Sequence, residues 1–513
     1  MDPGAAAGEG NLVLGLVAVA LVTVATLAIG SWGLRLSRTT SDFFVASRSV
    51  RPGLNASAIS GEYLSGASFL GIAGLVLSNG AEMLWYPVGW TAGYLVLLCL
   101  VAAPLRRSGA YTLPDFAEAR LRSRGVRRAS SLLVVAIGWL YLMPQFQGAG
   151  VALETTTGLP PWSGGLAVAV VVLLNVLAGG MRSVTFVQAF QYWLKLTALL
   201  VPLVFLVVVW IGDGARSPAD PSLLVGGADG LAWADPIDFA GDHPLYSTYS
   251  LMVATFLGVM GLPHVVVRYY TNPDGRAARQ TTLTVLAMLG LFYVVPPVYG
   301  ALGRLYAPDL AAGGSDSVVL ALPARMVGGL GGDLLVALLT AGAFAAFLAT
   351  SSGLTVAVAG VLTQDVTAKR LEPVTGFRVA AVVAVVVPFS LAFLARDVGV
   401  ATVVGLAFAM AAATFCPLLL LGIWWRGLTA TGALAGLVVG GALTGAAVLD
   451  NLLVDRQSGW LAALVGQPAA WAVPAAFATM VLVSRATRSR VPAHASRFMV
   501  RLHTPEHVQL DRD

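Results

Sequence analysis

The chain has 513 residues, of which 57% are hydrophobic and only 11% are charged. Soluble domains carry about 25% charged residues, so this composition excludes an ordinary soluble protein and indicates a polytopic membrane protein. The formal net charge is +5. Because the basic residues are distributed by membrane side, as described below, this charge does not indicate a nucleic-acid partner.

Thirteen segments are apolar enough to cross a bilayer, and each crossing needs about 20 residues. The predicted spans lie at 12–34, 54–78, 83–104, 129–152, 162–179, 187–211, 248–267, 280–302, 334–363, 378–395, 399–424, 428–448 and 469–484. Residues 1–11 lack the basic region of a cleavable signal peptide, so we expect the first span to be retained.

The basic residues are distributed unequally between the two sides of the predicted membrane. One alternating set of loops holds 25 of the 31 Lys and Arg residues, the other set holds five, and Lys195 lies inside a span. Because Lys and Arg concentrate in cytoplasmic loops, the amino terminus is predicted to lie outside and the carboxyl terminus inside.

The second span carries an acid near its middle, in the stretch "LNASAISGEYLSGASFLGIAGLVL". A charge at the centre of a membrane helix costs about 2.5–3.5 kcal/mol, so Glu62 either faces a polar cavity, has a partner or is protonated. Gly61, Ser60 and Ser65 weaken the helix, and unwinding there would free backbone carbonyls for a cation or a solute. Alternatively, Gly61, Ser65 and Gly66 only let another helix approach closely.

The loop between spans six and seven, residues 212–247, is acidic. It holds one Arg and six aspartates, namely Asp213, Asp220, Asp229, Asp235, Asp238 and Asp242. Such a loop either concentrates cations near an entrance or is a solvated segment with no further role.

Span seven, "TYSLMVATFLGVMGLPHVVVRYYT", is also interrupted, by Gly258, Gly261 and Pro263. Proline removes a backbone donor and clashes with the preceding turn, so a break is predicted near Met260. Spans two and seven cross in opposite directions, and such a pair is typical of an inverted repeat with a midplane binding site. Broken ends present N–H groups to an anion and carbonyls to a cation, which favours a coupled transporter over a pore.

Four stretches carry a family resemblance: "TSDFFVASRSVRPGLNASAISGEYLSGASFLG", "GGMRSVTFVQAFQ", "GLPHVVVRYYTNPDGRAAR" and "FLATSSGLTVAVAGVLTQDV". With these, the chain resembles the sodium:solute symporter family from about Ser41 to Arg426, and within that family the cation/acetate and monocarboxylate permeases. The resemblance implies an all-α, LeuT-type core of two inverted five-helix repeats.

The predicted organisation follows from this core and the topology. It comprises an extracellular amino terminus (1–11), a peripheral first helix (12–34), the first repeat (54–211), the acidic extracellular loop (212–247), the second repeat (248–424), two peripheral helices (428–484) and a basic cytoplasmic tail (485–513).

The resemblance also implies a sodium ion between spans two and nine. The implied ligands are Gly61, Leu64, Ala346, Ala349 and Thr350, with Ser351 as a further hydroxyl. Relatives often carry a hydroxyl where this chain has Ala349, so sodium would keep mostly carbonyl ligands, which suit a hard cation. The alternative for "LATSSGL" is helix packing through small residues.

Two polar residues of span six, Gln188 and Lys195, are assigned to ion coupling. Many sugar and proline relatives carry Asp where this chain has Gln188, whereas the acetate-type branch has Gln. Lys195 lies two turns further along the same helical face. It either snorkels to the cytoplasmic surface or lies near the cation site, where its protonation could compete with or replace sodium.

A small carboxylate is the expected substrate. The binding candidates are Glu62, Tyr63, Ser65, Ser68, Gly258, Gly261 and His264. His264 is either a donor to the substrate or a satisfied histidine near the inner boundary, and Arg268 is interpreted as a topology anchor at the membrane surface. No polar constellation suited to a sugar is visible, so acetate, propionate or pyruvate fits better.

These features predict a symporter in the cell membrane that imports short monocarboxylates with Na⁺ by alternating access. Its expected partners are the small carboxylate and the lipid bilayer. Alternatives are a proton-coupled carrier of the same substrates, a sodium symporter for another small solute such as an amino acid, and, from another class, an ion channel or a membrane sensor. An enzyme is not expected, because the sequence offers no nucleophile with a base. The oligomeric state is not predicted.

Overall fold

The computed structural model describes residues 3–34, 50–226, 229–237, 243–367, 371–393, 399–454, 458–506 and 508, and these are almost entirely helical. The helical segments are α1 (Pro3–Leu34), α2 (Pro52–Tyr63), α3 (Ala67–Asn79), α4 (Ala81–Arg107), α5 (Leu113–Leu121), α6 (Arg124–Thr157), α7 (Pro161–Gly212), α8 (Gly230–Ala234), α9 (Pro244–Gly261), α10 (Pro263–Tyr269), α11 (Gly275–Tyr306), α12 (Val318–Met326), α13 (Gly329–Val366), α14 (Pro373–Leu391), α15 (Val400–Trp424), α16 (Ala430–Leu453), α17 (Gly459–Gly466), α18 (Ala469–Ala486) and α19 (Ala495–His503).

Helix starts follow local chemistry. α2, α7, α9 and α10 each begin with a proline in the first turn, where the missing N–H costs nothing. Elsewhere a side chain caps the first turn: the Ser123 hydroxyl accepts from Val126 N at the start of α6, and Asp274 accepts from Ala277 N at the start of α11. These caps satisfy backbone donors that no helical carbonyl can reach.

The described ranges contain ten helices long and apolar enough to cross a membrane, or twelve when each of two bent pairs counts as one span. Predicted spans five and six both lie in α7, whose helical hydrogen bonding continues over 52 residues. Its first apolar part, Pro161–Leu177, is shorter than a full crossing. The count of thirteen and the orientation of the termini stay predictions.

Both predicted interruptions are present. α2 and α3 are bent by 71° relative to each other, and α9 and α10 by 45°. The first break is at Leu64, whose ψ of 86° leaves the helical region. The second is at Leu262, two residues after the predicted Met260, with φ −73° and ψ 117°, because the residue before a proline is driven out of the α conformation.

The two breaks pack against long buried helices. α13 contacts α6, α7 and α2, while α9 contacts α15 and α4. Gly258 and Gly261, predicted to bind substrate, lie against α15: a Cβ at either position would be 2.5 Å from a backbone oxygen, that of Phe408 or Ala411. These glycines therefore let α9 approach α15 closely.

The outer surface of the helices is apolar. Val13, Leu21 and Val24 on α1 are each at least 59% exposed, as are Val204 and Val208 on α7. Such a contiguous apolar surface is unfavourable in water and matches the hydrocarbon region of a bilayer.

The described aspartates of the acidic loop are held locally. Asp213 accepts a hydrogen bond from the Tyr306 hydroxyl at 2.9 Å, and Asp229 caps α8 by accepting from Ala232 N at 2.8 Å. Hydrogen bonds from Ser222 lower the pKa of the Asp220 carboxyl. Asp238 and Asp242 lie outside the described residues.

The carboxyl-terminal tail packs back onto the helices. α19 contacts α4, α5 and α15. Beyond it, Glu506 accepts a hydrogen bond from Gly275 N at 2.8 Å and pairs with Arg107 at 3.4 Å. The tail is thereby joined to the start of α11 and the end of α4.

Candidate functional site

A buried ion pair lies at the break in the first bent span. Arg268 Nε is 2.7 Å from Glu62 Oε2, and the two side chains are 1% and 2% exposed. Arg268 also donates to the Thr185 hydroxyl at 2.7 Å and to Gln188 Oε1. The interpretation of Arg268 as a surface anchor is therefore wrong. The bend at Leu262 directs α10 towards α2 and α7, where a buried carboxylate compensates the guanidinium charge.

Lys195 points to the same break. Its side chain is fully buried, and Nζ donates to the carbonyl oxygens of Gly61 and Leu64, the second at 2.6 Å. Both carbonyls are at the carboxyl end of α2, where the interruption removes helical donors. The snorkelling interpretation is wrong for this structure, because these free acceptors lie within reach of the lysine.

Two of the α13 residues that the resemblance assigned to sodium contact the same junction. The Thr350 hydroxyl donates to Glu62 O at 2.6 Å, and Ala349 O accepts from Gln188 Nε2 at 2.8 Å. Ala346 is buried one turn before Thr350, and the buried Ser351 hydroxyl has no hydrogen-bond partner in the described part of the chain. α2, α7 and α13 thus bring together the two assigned residues of α2 and two of those of α13.

Two glycines make this junction compact. A Cβ on Gly61 would overlap the Gln188 carbonyl, and a Cβ on Gly353 would overlap the Glu62 carboxylate. Close helix approach therefore accounts for Gly61, in agreement with the packing interpretation, while its carbonyl remains available to Lys195.

We expect Gly353→Ala to lower uptake about tenfold or more, because the added methyl displaces Glu62 from Arg268 and weakens a buried pair. Gly360→Ala, on the same helix, is the control, since its Cβ would have nothing within 4 Å. Uptake rate and melting temperature are measured for both variants. An equal loss of uptake in the two variants would contradict the assigned role of Gly353.

An aromatic cluster lies beside the junction. We define it as the side chains of Tyr63, Trp90, Tyr94, Tyr141, His264, Tyr293 and Phe408. The Phe408 ring centroid is 5.6 Å from that of Trp90, 6.0 Å from Tyr141 and 6.3 Å from Tyr63. The cluster joins both bent spans to α4, α6, α11 and α15.

Several polar atoms in this cluster have no partner. Within the described ranges, Trp90 Nε1, the Tyr94 hydroxyl and both ring nitrogens of His264 make no hydrogen bond. Among the described residues, His264 therefore lacks the hydrogen-bond partner that a satisfied buried histidine would have. Buried donors left unpaired are costly, so these groups are candidates for binding a ligand.

Other candidates are already bonded within the protein. The Tyr63 hydroxyl donates to Trp90 O at 3.1 Å, and the hydroxyls of Ser68 and Tyr293 are 2.9 Å apart. Glu62 is paired with Arg268. Of the predicted substrate side chains, His264 therefore keeps both ring nitrogens free in this structure, whereas the Ser65 hydroxyl interacts with Tyr141.

Five members of the cluster were not predicted from the sequence: Trp90, Tyr94, Tyr141, Tyr293 and Phe408. They lie on four helices inside apolar runs, and no spacing relates them. The aromatic density of "WYPVGWTAGY" in α4 is the one signal that pointed towards two of them.

The charges at the junction do not cancel. Glu62 carries one negative charge, while Arg268 and Lys195 carry one positive charge each in their ordinary states. All three side chains are buried, so in these charge states the junction has one positive charge in excess. Uncompensated charge inside a membrane protein is unfavourable, and a monovalent anion nearby would reduce its cost.

The comparisons with known proteins agree with this geometry. A model of the sodium:solute symporter family matches residues 43–440. The chain belongs to the sodium:solute symporter family. It is therefore a solute symporter with several membrane-spanning helices, and an enzyme is excluded, as the sequence predicted.

Two relatives each align with 84% of this chain at 32% sequence identity. They are the uncharacterized symporter YwcA of Bacillus subtilis and the monocarboxylic acid transporter of Corynebacterium glutamicum, covered over 84% and 83% of their own lengths. A solved structure of a Na⁺-coupled sialic acid symporter in its substrate-bound outward-open state has a TM-score of 0.67 at 13% sequence identity. The match covers 92% of this chain and 97% of the sialic acid symporter chain. This likeness confirms the LeuT-type fold.

In this symporter, Lys195 is hydrogen-bonded to two of the oxygens that the family resemblance assigned to sodium. Carbonyl and hydroxyl oxygens are suitable ligands for a hard cation. However, the Gly61 and Leu64 carbonyls are already bonded to the Lys195 ammonium. A sodium ion between the same carbonyls would lie beside a like charge, so the site does not fit both cations at once.

Proposed function

We propose that this symporter imports short monocarboxylates, such as acetate, propionate or pyruvate, together with a cation by alternating access. The observation that carries the proposal is the set of buried donors without partners, formed in the described structure by Trp90 Nε1, the Tyr94 hydroxyl and His264. A carboxylate offers two oxygens that accept several hydrogen bonds. Its negative charge also balances the excess positive charge at the junction.

The form of the cluster favours a small substrate. The rings of Tyr63, Trp90, Tyr141 and Phe408 contact one another and are buried. Aromatic walls suit a short apolar chain, whereas a sugar needs a partner for each hydroxyl group. The C. glutamicum relative is a monocarboxylic acid transporter, which supports the same substrate class.

A cavity on the predicted extracellular side is separated from the cluster by the Tyr86 ring. It has a volume of about 270 Å³, and its lining includes Tyr86, Thr248 and Gln467. The Tyr86 ring lies 5.4 Å from that of Trp90. We propose that substrate enters through this cavity and reaches Trp90 when the Tyr86 ring moves aside.

The Glu62–Arg268 pair provides the proposed closure on the opposite side. It joins α2 to α10, the two half-helices on the predicted cytoplasmic side, and Arg268 further contacts Thr185 and Gln188 on α7. Inward opening would separate α2 from these partners. Alternating access in inverted-repeat transporters proceeds by such relative movement of the two parts around a midplane site.

The proposal is tested with labelled acetate in proteoliposomes. We expect uptake under an imposed cation gradient and faster exchange when unlabelled acetate is present on the opposite side. Gradients of Na⁺ and of pH are imposed separately, and unlabelled propionate, pyruvate, glucose and proline are added as competitors. Acetate counterflow distinguishes a carrier from a channel. Competition by glucose or proline without competition by propionate would contradict the substrate class.

A proton-coupled carrier of the same substrates is the second candidate. The observation that favours it is the position of the Lys195 ammonium, which contacts the two α2 carbonyls that the family resemblance assigned to sodium. Acetate uptake driven by a pH gradient in the absence of sodium would establish this candidate.

A further inference from the structure

The side-chain ammonium of Lys195 lies at the junction of α2, α7 and α13, so the protein itself provides a cation there. Its Nζ donates to two of the carbonyls assigned to sodium, Gly61 O and Leu64 O. A third assigned carbonyl, Ala349 O, accepts from Gln188 Nε2 at 2.8 Å. Lys195 and Gln188 lie on the same face of α7, so one helix supplies donors to oxygens on both sides of the junction.

We infer that the Lys195 ammonium takes the place of sodium at this junction, so that the carboxylate substrate binds without a sodium ion there. The inference rests on the proposed carboxylate transport and concerns the cation of the same site.

The hydrogen bonds supply the first reason. An ammonium group has three donors and needs acceptors when it is buried. A sodium ion that took the Gly61 and Leu64 carbonyls would leave Nζ fully buried without these two acceptors. Buried charges without partners are strongly unfavourable, so sodium binding would require Lys195 to move away.

The charges supply the second reason. The negative charge of Glu62 is already paired with Arg268 at 2.7 Å. If the lysine were absent, a bound Na⁺ would raise the junction to one excess positive charge. The charged Lys195 ammonium supplies that same charge from the protein itself. Adding Na⁺ beside Lys195 would raise the excess to two, which a monovalent carboxylate no longer balances.

The first experiment uses purified protein without substrate. Melting temperatures are compared in NaCl and in choline chloride at equal ionic strength for the wild type, Lys195→Ala and Gln191→Ala. Gln191 is the matched control, because it is a long buried polar side chain one turn away on the same helix that instead donates to Thr26. We expect a sodium-specific increase of about 2 °C or more in Lys195→Ala only, since a ligand stabilises the state that binds it.

The second experiment measures acetate counterflow in the same two salts. Wild-type exchange is expected to agree within about twofold between them, whereas Lys195→Ala is expected to be about fivefold or more faster in NaCl than in choline chloride. Sodium would then restore the positive charge that the substitution removed.

The outcomes separate the two proposals. Sodium-specific stabilisation of the wild type, or wild-type counterflow that requires sodium, would overturn the inference. A folded Lys195→Ala protein without any sodium response would also overturn it, because the two cations would then not share a position. If Lys195→Ala does not fold, the wild-type measurements decide. Absence of acetate counterflow in both salts would contradict the proposed function, while the melting temperatures would still test the inference.

Discussion

Replacing Glu62 with Gln is expected to lower uptake at least about tenfold and to reduce stability, because Arg268 is then left buried without a counter-ion. Removing one partner of a buried ion pair typically costs about 3–5 kcal/mol. The Arg268 and Glu62 side chains are 1% and 2% exposed, so water cannot replace the lost partner. The readouts are the initial rate of acetate uptake and the melting temperature in detergent.

A double-mutant cycle separates the pair from its individual members. Glu62→Gln combined with Arg268→Gln is expected to recover part of the stability lost in either single variant, since no uncompensated charge then remains in the pair. The control is Asp309→Asn, which breaks the Asp309–Arg325 pair, whose side chains are 60% and 37% exposed. Exposed pairs contribute little to stability, so we expect no measurable change. The assigned role of Glu62 fails if its substitution is as mild as that of Asp309.

Replacing Tyr94 with Phe is expected to raise the KM for acetate about tenfold or more without lowering the melting temperature. A hydrogen bond to a charged group contributes about 1.5–3 kcal/mol, and about 1.4 kcal/mol corresponds to a tenfold change in affinity. Because the Tyr94 hydroxyl has no protein partner among the described residues, its removal breaks no internal hydrogen bond. An unchanged maximal rate would indicate loss of substrate binding alone.

Tyr299→Phe is the matched control for this substitution. The Tyr299 hydroxyl is equally buried, but it donates to Leu199 O at 2.7 Å and lies outside the aromatic cluster. Its removal leaves a backbone carbonyl without that bond, so we expect a lower melting temperature and an unchanged KM. The two tyrosines should therefore give opposite patterns. A normal KM for Tyr94→Phe would remove this hydroxyl from the binding site.

The position of Lys195 connects these expectations. It approaches α2 from α7, whereas Arg268 approaches from α10, and both contact the residues at the interruption. The carboxylate of Glu62 can compensate only one of these two cations. In the proposed mechanism, the substrate supplies the second negative charge. Binding of the anion therefore depends on the same helix break that forms the site.

Local properties of the sequence were sufficient to predict the bent spans. Glycine and proline act on the backbone of their own helix, so Pro263 indicated the break within two residues, and the acid in "ISGEYLSG" indicated an interruption in the other span. The composition indicated a membrane protein for the same reason, because each span must be apolar along its own length. The four quoted stretches indicated the family that the comparisons then showed.

The partners of the charged side chains were decided only by the tertiary structure. Glu62 and Arg268 are separated by 206 positions, and Lys195 is separated from Gly61 by 134. No periodicity within one helix relates residues so far apart. Arg268 near a predicted membrane boundary had the same local pattern as a surface anchor, and only the bend of α10 directed it to Glu62.

The aromatic cluster depends on tertiary packing in the same way. Each of its rings lies in an apolar segment where lipid contact, core packing and substrate binding favour the same residue types. The sequence by itself determined where the helices break, since glycine and proline act on the backbone of their own helix. The folded structure decided which side chains meet at the breaks, because long-range packing brings six separate helices together there.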